Sequence, residues 1–385
     1  MELWKIKNRL RLNKINLTES AKKKLNNKYN DYNTIGDYIL NLGRDVYVSA
    51  NYNKNSKYLL DYKDEKFSLY ENDELILDNI EAHEVPKTTK KYFINSFGQK
   101  VLIGAYVDQH GSRARWMPYC NGCMCANNCR FCEWWALKPY IYTKTPEDYE
   151  YSFNVLKDNT SEKITELLVS GGTPKNEKTS YDYMNSVYIK ASELSKKNNL
   201  KLDIMFAPRG YYCDEEAKEK NLSKEENQRL FFQFLKDLQV SDIAVNIELW
   251  NNEYREELIP MKNQYSREEY LKYLELGVEI LGDNIVRSGL IVGLEPIEDT
   301  LVATEELAKR KVRVIHSPYE PYSIKDKDNP NLDCEIRLKN IKNDEIKERF
   351  TKFNLTIDEE DELTLKGYSI CKKIWSWIWF KISIM

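Results

Sequence analysis

The chain has 385 residues, of which 42% are hydrophobic, so it can build large cores and gross disorder is excluded. Its 58 basic and 61 acidic residues give a net charge of −3, which argues against nucleic acid as a partner. We expect a cytoplasmic protein without a transmembrane segment, because no apolar run approaches ~20 residues and the first residues lack the apolar core of a signal peptide.

Residues 1–95 are expected to form a separate, mixed α+β region. A helix is predicted over residues 17–26, where Thr18 is a candidate N-cap. Asn72 and Asp73 predict a turn between two strands, because both residue types favour turns. The strand-like runs in this region are residues 46–48, 67–70 and 75–77.

From about residue 101, apolar β-rich runs alternate with helical patterns. Ser223 with Glu226, and Ser266 with Glu269, form capping boxes that predict two helix starts. The predicted strands are residues 164–169, 202–207, 243–249, 285–294 and 312–316. The predicted helices include residues 181–194 and 301–310. This alternation is typical of parallel βαβ units.

With one strand before the cysteine-rich segment, we count six βα units in residues 96–330. Six units can form a partial (β/α)6 TIM-type barrel or an open doubly wound sheet. In both folds, catalytic groups lie at the carboxyl ends of the strands. Residues 331–385 are expected to form a C-terminal extension. Its aromatic end, residues 374–380, is too short to span a bilayer and is expected to contact the barrel or a partner.

Five of the eight cysteines lie between Cys120 and Cys132, which indicates metal or redox chemistry. Cys125, Cys129 and Cys132 have the spacing C-x3-C-x2-C. Three thiolates on one tight loop can hold three irons of a [4Fe–4S] cluster and leave the fourth iron open for another ligand. The alternative is a zinc site in which Cys120 and Cys123 form one pair of ligands, and Cys129 and Cys132 the other.

The C-x3-C-x2-C spacing, with Phe131 directly before the last cysteine, resembles that of the radical S-adenosylmethionine (SAM) enzymes. The similarity extends over residues 119–322 and includes motifs at successive predicted strand ends. Gly171 and Gly172 resemble the glycine motif that receives the ammonium group of SAM. Glycine suits this role because it lets backbone carbonyls approach a ligand closely.

Three further segments are similar to motifs of the biotin synthase and thiazole synthase branch. Asn246-Ile247-Glu248 resembles the Asn-x-Asp motif that holds the ribose. Lys262 falls where that group has a basic residue for the methionyl carboxylate. Residues 288–294, with Gly293, resemble the fifth-strand motif that lines the adenine, although the segment here ends Leu294-Glu295-Pro296 rather than Gly-Glu.

The resemblance implies a [4Fe–4S] cluster on Cys125, Cys129 and Cys132, SAM as a second cofactor, and a flavodoxin or ferredoxin as electron donor. It also implies reductive cleavage of SAM to a 5′-deoxyadenosyl radical that abstracts hydrogen from a substrate. Biotin synthase holds a second cluster through cysteines on its strands. The matching positions here are Val169 and Arg287, so we do not expect sulfur insertion by that route.

Arg287 is a candidate catalytic residue, because a buried arginine in the cavity needs an anionic partner. That partner is either a substrate carboxylate or phosphate, or a strand carboxylate such as Glu248. Arg209, after the third predicted strand, has the same two interpretations. Cys120 and Cys123, with Cys213, Cys334 or Cys371, are candidates for an auxiliary cluster. The alternative is that they are packing residues or free thiols.

The function predicted on this basis is a radical SAM enzyme that abstracts hydrogen from a small, anionic metabolite. An alternative is a radical SAM enzyme that modifies a peptide or a protein, with residues 1–95 as its recognition domain. A third possibility, from a different class, is a non-catalytic module that binds zinc or an iron–sulfur cluster. The colour of the anaerobically purified protein distinguishes a zinc-binding module from a cluster-containing enzyme, because a protein with an iron–sulfur cluster is brown and a zinc protein is colourless.

Overall fold

The computed structural model describes most of the chain. The described residues are 3–25, 38–43, 46–84, 91–118, 129–132, 144–160, 163–170, 172–319, 341–351 and 357–374. Several predictions lie outside these residues: those on Cys120, Cys123, Cys125, Gly171 and the aromatic end beyond residue 374.

Eleven α-helices and fifteen strands are present in the described residues. The helices are α1 (Leu3–Asn13), α2 (Glu19–Leu25), α3 (Pro146–Asn159), α4 (Lys178–Asn198), α5 (Asp214–Glu219), α6 (Lys224–Asp237), α7 (Asn252–Leu258), α8 (Arg267–Leu281), α9 (Ile297–Lys309), α10 (Asp344–Thr351) and α11 (Ile357–Ile374). The strands of the first region are β1 (Asn16–Leu17), β2 (Tyr38–Asn41), β3 (Tyr47–Ala50), β4 (Tyr58–Lys63), β5 (Lys66–Glu71) and β6 (Glu74–Glu84). The later strands are β7 (Tyr92–Ile94), β8 (Lys100–Leu102), β9 (Val107–His110), β10 (Arg113–Trp116), β11 (Glu166–Val169), β12 (Lys201–Met205), β13 (Asp242–Ala244), β14 (Val286–Val292) and β15 (Arg313–Pro318).

The first sheet contains six strands in the order β1-β4-β5-β6-β2-β3, and its only parallel pair among the described residues is β1 with β4. Burial alternates along β4 and β5, as expected for antiparallel strands with one face on a core. The predicted turn between β5 and β6 is confirmed, because Asn72 and Asp73 both have positive φ values, 48° and 68°. This sheet, α1 and α2 share one hydrophobic core.

The second sheet has seven strands in the order β15-β14-β13-β12-β11-β10-β9. Strands β10 to β15 are parallel, and β9 is antiparallel to β10. The six predicted βα units are therefore confirmed as parallel strands. The strand order follows the chain without the reversal that defines a doubly wound sheet, so that alternative is wrong.

Local sequence signals explain where the helices of this second unit begin. The two predicted capping boxes are present, with Ser223 and Glu226 at α6 and with Ser266 and Glu269 at α8. In each box the serine hydroxyl accepts a backbone N–H, and the glutamate accepts the serine N–H in return. The two helices therefore begin where the capping boxes predict.

Helix α11 contacts α9, and Gly367 of α11 lies against His316. A Cβ atom at Gly367 would lie 3.0 Å from Cε1 of His316 on β15. The His316 ring is itself held by Thr304 of α9, with Nε2 2.9 Å from Oγ1. Among the described residues, no helix has the length and apolarity needed to cross a membrane.

Candidate functional site

Glu248 occupies an unusual backbone position just beyond the end of β13. Its φ is 67°, in the left-handed region that a residue with a Cβ rarely adopts. Two hydrogen bonds to β14 maintain this conformation: Glu248 N donates to Gly289 O at 2.9 Å, and Glu248 O accepts from Ile291 N at 2.8 Å. Such strain is retained where the neighbouring structure enforces it, and it often marks a functional residue.

The Glu248 side chain forms an ion pair with Lys262. The Oε1–Nζ distance is 2.7 Å, and the two side chains are only 14% and 11% exposed. Burial by itself would lower the pKa of Lys262, but the adjacent Glu248 carboxylate outweighs it and the pKa lies above its usual value. The lysine is therefore an ammonium ion. The second carboxylate oxygen of Glu248, Oε2, is buried and has no hydrogen-bond partner among the described residues.

Arg255 of α7 joins the two segments that carry this ion pair. Its Nη1 donates to the carbonyl oxygens of Ile247 and Leu249, at 3.1 and 3.2 Å, on either side of Glu248. Its Nη2 donates to Tyr265 O at 3.3 Å, just after the short turn that begins at Lys262. Arg255 is fully buried, and burial lowers its pKa below the usual value. It therefore sets the distance between Glu248 and Lys262.

The described part of the cysteine-rich segment packs against the same region. Arg130 N donates to Leu258 O at 2.9 Å, and Cys132 N donates to Cys129 O at 3.0 Å. Cys129 is buried in an apolar cluster, with Phe131 and Cys132 packed against it. Members of that cluster from α7 and from the loops after β13 and β14 are Leu249, Tyr254, Leu258, Ile259 and Leu294.

Cys129 is also close enough to the ion pair to act on it electrostatically. A negative charge on its sulfur raises the pKa of Lys262 and that of Tyr270, behind the contributions of burial and of Glu248. Cys129 therefore lies in the same region as Glu248 and Lys262, and Cys132 packs against the apolar cluster that contains Cys129. The third predicted cluster ligand, Cys125, lies outside the described residues.

Asn246 connects three neighbouring strands at this edge. Its Oδ1 accepts a hydrogen bond from Gly289 N at 2.9 Å, and its Nδ2 lies 3.6 Å from the Met205 sulfur. A Cβ at residue 289 would lie 3.0 Å from Asn246 Oδ1, so this close approach favours glycine there. The side chain of Asn246 is thus used within the sheet, next to Glu248.

The two described motif glycines both have left-handed backbones at strand ends. Gly172, after β11, has a φ of 72°, and Gly293, after β14, has a φ of 96°. Glycine is favoured at both positions because a Cβ would be strained there. Gly293 also borders a cavity of about 390 Å³. Its other lining residues, from the start of α9 and the C-terminal helices, are Glu295, Pro296, Ile297, Glu298, Glu345, Glu348, Arg349 and Glu359.

Glu295 links the loop after β14 to the loop after Glu248. Its carboxylate accepts hydrogen bonds from Trp250 N at 2.8 Å and from Asn251 N at 2.9 Å. The side chain is buried, and burial raises the pKa of Glu295 to about 7. Glu295 therefore helps to hold Glu248 and Gly293 in their relative positions.

Arg287 requires a correction to its predicted role as a substrate ligand. It is buried, and its Nη2 forms an ion pair with Asp203 Oδ2 at 2.6 Å, while Nη1 lies 3.4 Å from Asp242 Oδ1. Arg287 is the second residue of β14, and Asp242 is the first residue of β13. These carboxylates neutralise the guanidinium near the amino ends of the strands, away from Glu248. The partner is a strand carboxylate, but it is Asp203 rather than Glu248.

Arg209 likewise has a structural environment. Its guanidinium carbon lies 3.9 Å from the ring centre of Tyr181 and 4.7 Å from that of Phe231. Its Nη2 donates to Asn185 Oδ1 at 3.0 Å. Stacking on two aromatic rings stabilises a buried cation without a carboxylate, so the structural interpretation of Arg209 is favoured.

Three residues of this region escape prediction from the sequence: Arg255, Tyr270 and Glu295. Arg255 and Tyr270 lie on amphipathic helices, where an arginine or a tyrosine gives no signal of its environment. Glu295 directly follows a glycine motif, and that position is the only signal that could have identified it.

Comparisons with known proteins add little to this geometry. No model of a protein family matches the chain, and no curated protein is significantly similar to it. Among solved structures, HydG, a maturase of the [FeFe]-hydrogenase, aligns with a TM-score of 0.42 and 16% identity over 67% of this chain and 54% of its own. HemN, coproporphyrinogen III oxidase from Escherichia coli, described as a radical SAM enzyme, aligns with a TM-score of 0.35 and 13% identity over 67% of this chain and 50% of its own. This chain thus spans about half the length of each, and at these TM-scores neither similarity assigns it a function.

Proposed function

We propose that this protein is a radical SAM enzyme. One observation carries the proposal: Cys129 lies close enough to the buried Glu248–Lys262 ion pair to act on it electrostatically, beyond the carboxyl ends of parallel strands, and Cys132 packs against the same apolar cluster as Cys129. Active sites of parallel α/β folds are built at that edge. The [4Fe–4S] cluster would be held by Cys125, Cys129 and Cys132.

The residues present fit both cofactors. Cysteine thiolates are the ligands of iron–sulfur clusters. The orphaned Oε2 of Glu248 can accept a hydrogen bond from a ribose hydroxyl, and the Lys262 ammonium can bind a carboxylate. Gly172 and Gly293 leave room for a ligand to approach the backbone. Bound together, these cofactors supply one-electron cleavage of a sulfonium bond, which initiates hydrogen abstraction from a substrate.

The chain itself positions the ligand and limits access of water. Arg255 fixes the carbonyls around Glu248, and Glu295 fixes the following loop, which holds the backbone of Glu248 in place. The apolar side chains of Leu249, Leu258 and Leu294 cover the site next to Cys129. A low-polarity wall strengthens the charge interactions of Lys262 and protects reactive intermediates.

The proposed fold is a partial (β/α)6 barrel over residues 96–330, between an N-terminal region (1–95) and a C-terminal extension (331–385). The parallel strands follow one another in chain order. Crossovers between such strands are right-handed as a rule, which would place the helices on one face and let the sheet curl around the other. We further propose a small-molecule substrate and a flavodoxin or ferredoxin as electron donor. Because Arg287 is already neutralised by Asp203, it gives no reason to expect an anionic substrate.

The proposal is tested by anaerobic purification and iron–sulfur reconstitution. We expect a brown protein with about four irons per chain that cleaves SAM when it is reduced. Replacement of Cys125, Cys129 and Cys132 by alanine should abolish both properties. Cys213→Ala is the matched control, because Cys213 is buried at the start of α5 and should not affect iron binding. A colourless protein that holds zinc would favour the binding-module alternative. Reductive SAM cleavage by the triple variant would refute the cluster assignment.

A further inference from the structure

Helix α8 carries two buried tyrosines, Tyr270 and Tyr273, that lie one turn apart. The Tyr273 hydroxyl donates a hydrogen bond to Arg209 O at 2.8 Å. The Tyr270 hydroxyl is fully buried, yet it has no hydrogen-bond partner in the described part of the chain. Buried hydroxyl groups without a partner are uncommon in folded proteins, so this one calls for an explanation.

The surroundings of Tyr270 place it at the proposed cofactor site. Its ring centre is 5.5 Å from the Arg255 guanidinium carbon and 6.4 Å from the Tyr265 ring centre. The charges of Lys262, Glu248 and Cys129 all act on its hydroxyl. Burial, the largest effect, raises the pKa of Tyr270 to about 12, so the hydroxyl keeps its proton and can donate it.

Tyr270 and Glu248 therefore present complementary unused groups in one buried region. The Tyr270 hydroxyl is a donor without an acceptor, and Glu248 Oε2 is an acceptor without a donor. Lys262 is bonded to the other oxygen of the same carboxylate and acts electrostatically on Tyr270. A ligand that carries both hydroxyl and carboxylate groups would supply the partners that Tyr270 and Glu248 Oε2 lack and would place a second anion near Lys262, whereas an apolar ligand would supply neither partner.

We propose that Tyr270 contacts bound SAM and donates a hydrogen bond to one of its oxygens, in the ribose or in the methionyl carboxylate. This inference rests on the proposed function and adds a ligand contact from helix α8. Because the hydroxyl is buried without a partner before binding, it lowers the stability of the ligand-free fold. Its contribution is to affinity, since binding supplies the missing acceptor.

Tyr270→Phe and the matched control Tyr273→Phe test this proposal in the reconstituted protein under anaerobic conditions. Each variant loses one buried hydroxyl from the same helix, but only the Tyr273 hydroxyl is hydrogen-bonded within the described residues. For Tyr270→Phe we expect a melting temperature without SAM that is equal to or higher than that of the wild type, unchanged iron content, and a dissociation constant for SAM raised roughly 3- to 15-fold. For Tyr273→Phe we expect a lower melting temperature and an unchanged dissociation constant.

Methylthioadenosine, which lacks the methionyl carboxylate, identifies the oxygen that Tyr270 contacts. Weaker binding of SAM alone by Tyr270→Phe indicates the carboxylate, and weaker binding of both ligands indicates the ribose; both results support the proposal. The proposal would be overturned if Tyr270→Phe bound SAM like the wild type. It would also be overturned if this variant unfolded, or melted at a lower temperature, without SAM. Wild-type protein with a complete cluster and no SAM binding would refute the proposed function itself, which is a distinguishable outcome.

Discussion

Glu248 and Lys262 form a largely buried ion pair, with 2.7 Å between Oε1 and Nζ, although they belong to different segments of the chain. Glu248 follows β13, and Lys262 begins the short turn after α7. The pair is buried beside Cys129, and Arg255 holds its two segments together. A buried pair is vulnerable to loss of either partner, because the remaining charge is left without compensation.

Lys262→Met should weaken SAM binding and leave iron content unchanged. The variant removes the cation proposed to bind the methionyl carboxylate, and it leaves Glu248 buried alone. A loss of about 2 kcal/mol or more is expected for such a truncation, or roughly 30-fold in the dissociation constant. Isothermal titration with SAM measures the change. Lys309→Met is the control, because Lys309 is an exposed lysine that pairs with Glu305 on α9. This variant should bind SAM like the wild type.

Glu248→Gly and Glu248→Ala should differ in stability but not in SAM binding. Both variants lose the carboxylate, so both should bind SAM weakly. Only glycine adopts a φ of 67° without strain, so the glycine variant should be more stable by about 1 kcal/mol. Chemical denaturation of the two variants gives the comparison. Equal stabilities would show that the left-handed backbone at residue 248 is not strained.

Arg287→Leu should destabilise the fold without changing the cofactor site. The substitution leaves Asp203 buried without its closest cation, and the free energy of unfolding should fall by about 3 to 5 kcal/mol. The folded fraction should bind SAM with wild-type affinity. The double variant with Asp203→Leu should recover part of the stability. If Arg287→Leu had normal stability and lost only substrate turnover, the original hypothesis that Arg287 binds the substrate would be restored.

Glu295 should make stability depend on pH. Its folded pKa of about 7 lies above the ordinary value of 4.5, so the folded protein binds more protons than the unfolded chain between these values. Stability should therefore decrease as pH rises from about 4.5 to 7, by about 3 kcal/mol from this group. Glu295→Gln should lack this component in melting curves measured from pH 5 to 8. Parallel pH profiles for the variant and the wild type would contradict the assignment.

Local patterns in the sequence determined the strand–helix alternation and the sites where helices begin. Apolar periodicity and capping boxes depend on residues a few positions apart, which is why α6, α8 and the parallel strands were predictable. Cysteine spacing is local in the same way. Helix α1 and strand β4 were missed, although Asn53, Asn55 and Ser56 before β4, and Asp64 after it, are residues that favour turns.

Pairings between distant residues were decided only by the tertiary structure. Arg287 meets Asp203, 84 residues away in the chain, because β12, β13 and β14 pair in one particular register. A slip of one residue would turn each side chain to the opposite face, and no local pattern specifies that register. The left-handed backbone of Glu248 depends likewise on hydrogen bonds from β14. The unused hydroxyl of Tyr270 is visible only when its neighbours are in place, because hydrogen-bond satisfaction is a property of the whole packed environment.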